Sequence, residues 1–216
     1  MGPRSMGQDI SVTIIDYGMG NVRSVAKAIE LLGEDVKISN DKNDIENATH
    51  LILPGVGAFK DGMKNLKELG LVEILNEQVL EKKKPILGIC LGTQLMANES
   101  EEFGHYEGLK WIDASVVAFD DQGGELKVPH VGWNDTQYKK ESPIFKKVKE
   151  DTDFYYVHSY HMVCKNEEDV SATCDYGGEF VAAIQKDNIF ATQFHPEKSQ
   201  YTGLKLLENF LEVGQE

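Results

Sequence analysis

The sequence is poor in cysteine, in positive charge and in long apolar runs, and each scarcity excludes something. Three cysteines in 216 residues, Cys90, Cys164 and Cys174, fall at irregular spacing and make no disulfide framework. With no signal-peptide pattern, they point to a reducing cytosol. Lys and Arg number 22 against 36 Asp and Glu, a formal net charge of −14. Such a surface repels phosphate backbones and anionic lipid, which argues against nucleic acid and membranes as partners. No apolar stretch approaches the roughly 18 residues of a membrane span. What is present, 41% hydrophobic and 27% charged residues, suits an ordinary globular chain with one sizeable core. The basic run Lys82–Lys84 reads as the solvated end of a helix. The opening MGPRSMGQ, with a second methionine at Met6 and no periodicity, reads as a vector-derived tail, residues 1–8, outside the domain.

Strand and helix patterns alternate through the first half. SVTIID (11–16) reads as a strand, after which Val22, Val25, Ala26, Ile29 and Leu32 recur at helical spacing and Gly33 supplies a stop. DVKIS (35–39) and HLILPG (50–55) read as further strands. Residues 61–83 read as helix broken near Gly70, with Leu66, Leu69, Val72, Leu75 and Val79 facing inward. PILGIC (85–90) is a fourth strand that enters a helix at about Leu91. This alternation predicts right-handed βαβ units around a parallel sheet. After Phe103 the texture changes. WIDASVVAF (111–119), ELKVP (125–129), DFYYVHSY (153–160), VSATCDY (170–176), EFVAAIQ (179–185) and IFATQF (189–194) read as strands, with YGGE and KDN as hairpin turns. A last helix, Thr202 to Leu211, carries Leu204, Leu207 and Leu211 on one face. The expectation is one α/β domain over 9–214, a central mostly parallel sheet with added antiparallel strands.

Two glycine and histidine patterns lead nowhere. GMG (18–20) stands where a dinucleotide fingerprint would, but its third-glycine position is Arg23, too bulky for close helix–strand packing, so a turn is the better reading. His158, His161 and Cys164 in HSYHMVC are dense enough to suggest zinc. On an extended segment, however, an offset of three puts side chains on opposite faces, and no second close cysteine pair completes a tetrahedral site.

Three others carry chemistry. GICLG (88–92) has the form of a nucleophile elbow with Cys90 in place of serine. The flanking glycines let backbone crowd close, and the helix that follows favours a thiolate. Alone, the match is read more ordinarily as a buried structural cysteine. In FHPEKS, Pro196 biases His195 toward an extended conformation, and Glu197 then projects to the same side as the imidazole, where it could hold its tautomer. In LILPGVGAF (51–59) a strand ends in Pro-Gly-x-Gly, which leaves backbone N–H groups uncovered and suited to polarising a carbonyl. As a plain turn it would be equally ordinary.

Together, PGVGAF, GICLGTQLM and FHPEKS, in this order over about Ile10 to Leu211, resemble the class I glutamine amidotransferases, whose fold is a flavodoxin-like three-layer α/β sandwich. VPHVGWN (128–134), FYYVHSYH (154–161) and DYGMGNVRSV are similar to segments of one family among them, the glutaminase subunits of imidazole glycerol phosphate synthases. The resemblance implies Cys90 as nucleophile, His195 as general acid/base and Glu197 as orienting carboxylate. It implies oxyanion donors on Leu91 and on Gly55–Val56, and L-glutamine held by Gly57, Gln94, Glu102, Ser159 and Tyr160. It implies no cofactor and no metal. It also implies a cytoplasmic heterodimer with a (β/α)8 synthase (cyclase) subunit, docked through Asn21, His130, Trp133, Tyr155 and Lys198. Ammonia would pass through that barrel to an imine substrate, giving imidazole glycerol phosphate and an aminoimidazole carboxamide ribotide in histidine biosynthesis. SEEFGHYEGLKWI (100–112) departs from this pattern. It looks similar to a paralogous branch that supplies ammonia to an N-acetyl sugar amidotransferase in surface-polysaccharide synthesis. An inactive binding module on the same fold is the alternative of another class, and the competent residues at all three triad positions weigh against it.

Overall fold

The computed structural model describes residues 9–215; the tail expected at 1–8 lies outside them. Strand β1 (Ser11–Ile15) buries Val12, Ile14 and Ile15. Helix α1 (Val22–Leu31) turns Val25, Ala26, Ala28 and Ile29 inward and stops where Gly33 adopts φ 80°. Strand β2 (Asp35–Ser39) leads into helix α2 (Lys42–Asn47), capped by Asp41 accepting from Asn43 N–H. No periodicity announced α2, because six residues are too few to show one. Strand β3 (His50–Leu53) is wholly buried. Helices α3 (Phe59–Glu68) and α4 (Leu71–Asn76) are separated at Gly70, as expected, and a π-helical turn, Glu77–Glu81, extends the second. Leu69, expected inside, is 45% exposed, because it caps α3 just where the chain turns away. Strand β4 (Ile86–Ile89) then runs into helix α5 (Leu91–Leu95).

The second half is the run of strands the pattern predicts, with two boundaries redrawn. Strands β5 (Glu99–Ser100), β6 (Tyr106–Glu107) and β7 (Ala114–Ala118) come first. The strand expected over ELKVP (125–129) is a loop with a cis Val128–Pro129 bond. The strand begins one residue later, as β8 (His130–Asp135), followed by β9 (Gln137–Tyr138). The single strand expected over 153–160 is two, β10 (Asp153–His158) and β11 (Tyr160–Cys164), because β10 pairs with β8 and β11 with β7 in a different sheet. Strands β12 (Val170–Asp175), β13 (Glu179–Lys186) and β14 (Ile189–Thr192) and helix α6 (Gln200–Glu212) complete the chain.

Eight strands form the central sheet in the order β2-β1-β3-β4-β14-β13-β12-β9. The first five are mutually parallel and the last three add antiparallel. Among the helices, α3, α4 and α5 pack one face through Phe59, Met63, Leu66, Leu75 and Leu95. Helices α1 and α6 pack the other through Val25, Ile29, Leu207 and Phe210, so the layers are three. No helix of the described residues is long and apolar enough to cross a membrane.

The middle of the sheet sets the geometry that matters. Strands β3, β4 and β14 are parallel neighbours, so their carboxyl ends bring Pro54, Cys90 and Gln193–His195 side by side, where open α/β sheets build their sites. Close approach is enforced at Gly92. A Cβ there would stand 1.7 Å from the Leu53 carbonyl oxygen, so α5 can lie against β3 only without a side chain at this position.

Beside this edge sits a buried imidazole pair. His130 on β8 faces His158 on β10, with Nδ1 3.0 Å from Nε2. His158 Nδ1 lies 2.8 Å from the Tyr160 carbonyl, which can only accept, so Nδ1 carries a proton and His130 donates to Nε2. Tyr176 stacks on His130 at 3.9 Å. Burial pushes His130 down to about 4. It pushes His158 down to about 3, the Tyr160 bond opposing and the neighbouring histidines reinforcing. Both rings are held neutral.

Two outcomes follow from this packing. Gly92→Ala should cost about 3 kcal/mol of stability, the upper range for overpacking, read as a shift in the chemical denaturation midpoint. The neutral imidazoles refuse protons that the unfolded chain takes up below about pH 6.5. Their stabilising contribution is therefore full above that pH and shrinks as pH falls toward 4. The thermal midpoint should decline over that window, and His130→Phe, which keeps a stacked ring, should flatten the decline.

Candidate active site

Cys90 occupies the turn from β4 into α5 at φ 53° and ψ −110°, a left-handed conformation that a side chain adopts only when its surroundings hold it there. The hold is visible: Cys90 N–H donates to the Thr192 carbonyl at 2.9 Å, and Thr93 Oγ1 donates to the same oxygen at 2.6 Å. The elbow is thus tied to the end of β14. The thiol is 7% exposed and lies 3.8 Å from the Val157 carbonyl.

His195 and Glu197 meet as expected, but by a different backbone: Pro196–Lys198 is a 3₁₀ turn rather than the extended segment their spacing suggested. His195 Nδ1 is 2.5 Å from Glu197 Oε1, with both side chains fully buried. Backbone bonds fix the loop: His195 N–H donates to the Tyr155 carbonyl at 2.9 Å, and Ser199 Oγ donates to the His195 carbonyl at 2.6 Å. Nε2 makes no hydrogen bond of regular geometry and adjoins Cys90. Burial works against a charged imidazole here, but the adjoining Cys90 and the bonded Glu197 more than offset it and push His195 up. The arrangement therefore favours an imidazolium at His195, held between the Cys90 sulfur and the Glu197 carboxylate.

The oxyanion donors differ from the sequence-based expectation. Leu91 N–H donates to the Gly55 carbonyl at 3.1 Å, and Val56 N–H donates to the Met19 carbonyl at 2.8 Å. Both N–H groups are spent, so the hole expected from Leu91, Gly55 and Val56 is closed in this conformation. The Gly55 carbonyl and the Val56 N–H belong to one peptide unit, and turning that unit would break both bonds at once. Gly57 beside it has φ 125°, open to glycine but strained for other residues. Tyr17 clamps the segment by donating to the Pro54 carbonyl at 2.5 Å. A Cβ on Gly55 would lie 2.2 Å from that hydroxyl.

The expected glutamine pocket lies next to the elbow. Gln94 Nε2 donates to the Tyr160 carbonyl at 3.1 Å and to Gln193 Oε1 at 3.0 Å. With both protons used, Gln94 can offer a ligand only its Oε1. Glu102, 8% exposed, accepts from Phe59 N–H at 2.9 Å. Burial raises its pKa, the Phe59 bond opposing and Asp61 adding to the rise. Ser159 accepts Phe119 N–H on its carbonyl and links β10 to β11. Two acceptors, Gln94 Oε1 and Glu102, suit a ligand's ammonium group better than its carboxylate.

Of the residues expected at a partner interface, Trp133 is 48% exposed and meets Tyr155 edge-on at 5.9 Å. Lys198 is exposed. Two depart from expectation. His130 is buried, because an offset of three along β8 puts it on the face opposite Trp133. Asn21, at φ 66°, turns its side chain inward and donates to Glu197 Oε1 at 2.5 Å, which makes it a support of the Glu197 carboxylate. Gln193 was not foreseen at all. It is 1% exposed, with Nε2 3.7 Å from Cys90 Sγ. No periodic signal pointed to it, since β14 ends at Thr192 and the chain bends at Gln193 and Phe194. Among the described residues no group of three or more His, Cys, Asp or Glu could hold a metal ion.

Comparison with known proteins places the chain in a family. The family model described as "Glutamine amidotransferase class-I" matches residues 13–213. The chain is 53% identical over 202 residues to the imidazole glycerol phosphate synthase subunit HisH 1 of Campylobacter jejuni, spanning 94% of this chain and 100% of that one. It is 47% identical over 202 residues to subunit HisH 2 of Pseudomonas aeruginosa, spanning 94% and 99%. In fold it is similar to the structure of PurLQS from Thermotoga maritima, with a TM-score of 0.73 at 17% identity, covering 95% of this chain and 99% of that one. The chain belongs to the class-I glutamine amidotransferase family, in its HisH-type branch.

Proposed function

We propose that residues 9–214 form one glutaminase domain that hydrolyses L-glutamine through Cys90, His195 and Glu197 and passes the ammonia to a synthase subunit. The observation that carries this reading is the buried His195–Glu197 pair at 2.5 Å beside a strained, left-handed Cys90. The thiolate attacks the side-chain carboxamide carbon, and the carbonyl oxygen becomes an oxyanion. His195 gives its proton to the leaving nitrogen, the C–N bond breaks, and ammonia departs to leave a γ-glutamyl thioester. The neutral imidazole then takes a proton from water, hydroxide attacks the thioester, and glutamate leaves as the thiolate reforms. Glu197 keeps the imidazole in one tautomer and stabilises its charged form, and Asn21 steadies Glu197. Gln94 Oε1 and Glu102 receive the α-ammonium group of glutamine, with Gly57, Ser159 and Tyr160 around its other end.

The relatives are named as subunits of imidazole glycerol phosphate synthase, which supports a partner synthase subunit; the form proposed is a cytoplasmic heterodimer with a (β/α)8 barrel. Val131 and Trp133, 55% and 48% exposed on the outer face of β8, supply an apolar docking surface of the interface-prone type. A second acceptor is favoured by one observation. The relatives from Campylobacter and Pseudomonas bear the numbered names HisH 1 and HisH 2, and numbering marks one of several copies. A second copy is free to serve another acceptor, such as an N-acetyl sugar amidotransferase of surface-polysaccharide synthesis. Ammonia transfer measured with each partner separates the two.

Two outcomes test the reading. Cys90→Ala should lower glutamine-dependent synthesis by the complex about 10³-fold or more while leaving ammonia-dependent synthesis intact. Loss of both would make the cysteine structural. Opening the oxyanion site costs two backbone hydrogen bonds, about 1–3 kcal/mol together. The isolated subunit should therefore turn over glutamine roughly tenfold to hundredfold more slowly than the complex carrying its acceptor ligand. Equal rates would remove the closed peptide from the mechanism.

A further inference from the structure

The donor polarity around Cys90 is set from outside the triad. The Tyr160 carbonyl can only accept, so Gln94 must present its amide nitrogen there. That same nitrogen faces Gln193, so Gln193 must present Oε1 to it. With its oxygen committed, Gln193 has only its amide nitrogen left for Cys90 Sγ, at 3.7 Å. The backbone allows no retreat, because Gln193 N–H is bonded to the Ala182 carbonyl at 2.8 Å and the residue is 1% exposed. A buried carboxamide without partners is costly, and this one has its partners only while it points a donor at the sulfur. A thiolate is the better acceptor of the two sulfur states.

From this geometry we propose that Gln193 is a further catalytic residue of the site: its carboxamide N–H holds the Cys90 sulfur as thiolate, and Gln94 fixes the direction of that N–H. The inference rests on Cys90 being the nucleophile. It gives Gln94 a second task. A residue that reads the substrate through Oε1 also orients, through Nε2, the donor on the attacking atom. A ligand that draws Gln94 away from Gln193 would loosen the donor, and one that leaves it seated keeps the nucleophile ionised.

The test is the pH dependence of Cys90 alkylation by iodoacetamide in the full chain, followed by peptide mass spectrometry. Cys164 and Cys174 are pushed up to about 12, mainly by burial, and do not compete near neutral pH. Gln193→Met keeps the volume and removes the donor. A charge-assisted hydrogen bond of about 1.4 kcal/mol or more predicts an alkylation midpoint higher by about one pH unit, and about tenfold slower alkylation at a pH below both midpoints. Gln193→Glu keeps polarity and size, sets a carboxylate against the sulfur, and should raise the midpoint further. Gln94→Leu, which frees the Gln193 carboxamide to turn over, should raise it less, and adding it to Gln193→Met should have little further effect. The Gln193→Glu measurement decides if the methionine variant does not fold. A midpoint equal to wild type in a folded Gln193 variant overturns the proposal. A wild-type midpoint at or above the ordinary thiol value, about 8.5, instead overturns the reading of Cys90 as nucleophile.

Discussion

The elbow at Cys90 depends on a backbone contact that no side chain can replace. Gly92 lies so close to the Leu53 carbonyl that only hydrogen fits, and Cys90 N–H closes on Thr192 from the other side. The nucleophile's turn is therefore wedged between the ends of β3 and β14. Each neighbour also carries its own part of the site. The strand before the wedge continues into the Pro54–Gly57 segment, and the strand after it continues into Gln193, His195 and Glu197. Fixing one turn thus fixes three pieces of the proposed site relative to one another. This is the practical meaning of a left-handed cysteine: its strain is balanced by contacts that also align the chemistry.

The same packing that aligns the nucleophile closes the oxyanion site. Leu91 and Val56 need acceptors when no substrate is present, since a backbone N–H buried without a partner is costly. The Gly55 and Met19 carbonyls satisfy them. A resting site with open donors would have to be held by water or by strain. A closed one is stable and slow. Because Gly55 and Val56 share the peptide unit, a single rotation converts one state into the other, and the loop bearing Met19 also bears Asn21 on Glu197. Whatever displaces that loop acts on both the Val56 N–H and the Glu197 carboxylate. Val56 is 38% exposed, so this lever reaches the surface.

How much of this was legible in the sequence depended on the period of each signal. The β-strands and helices of the first half announced themselves, because each had enough residues to show a repeat. α2 was too short to do so, and β11 was hidden inside a continuous run, since the break after His158 is a change of sheet rather than of composition. The proximity of Cys90, His195 and Glu197 was legible because each motif is local: a turn for Cys90, and a short loop that brings Glu197 back to His195, though through a 3₁₀ turn rather than an extended segment. The interface expectation failed at His130 for the same arithmetic that excluded zinc, an odd offset on a strand. Gln193 went unread because a glutamine carries no chemical alarm. Its role comes from a donor–acceptor chain across Tyr160, Gln94 and Cys90, and no linear string encodes which end of an amide faces which neighbour.

The electrostatic setting around His195 separates two kinds of buried imidazole. The His130–His158 pair is pushed toward neutrality by burial, while His195, close enough in space to depress His158 further, is pushed the other way by Cys90 and Glu197. The contrast isolates a single cation, on His195, in a region otherwise hostile to positive charge. Desolvation opposes a positive charge on all three rings, and His195 alone among them is bonded to a carboxylate that outweighs the opposition. The pairing with Glu197, rather than exposure to solvent, therefore decides which of the buried imidazoles is charged.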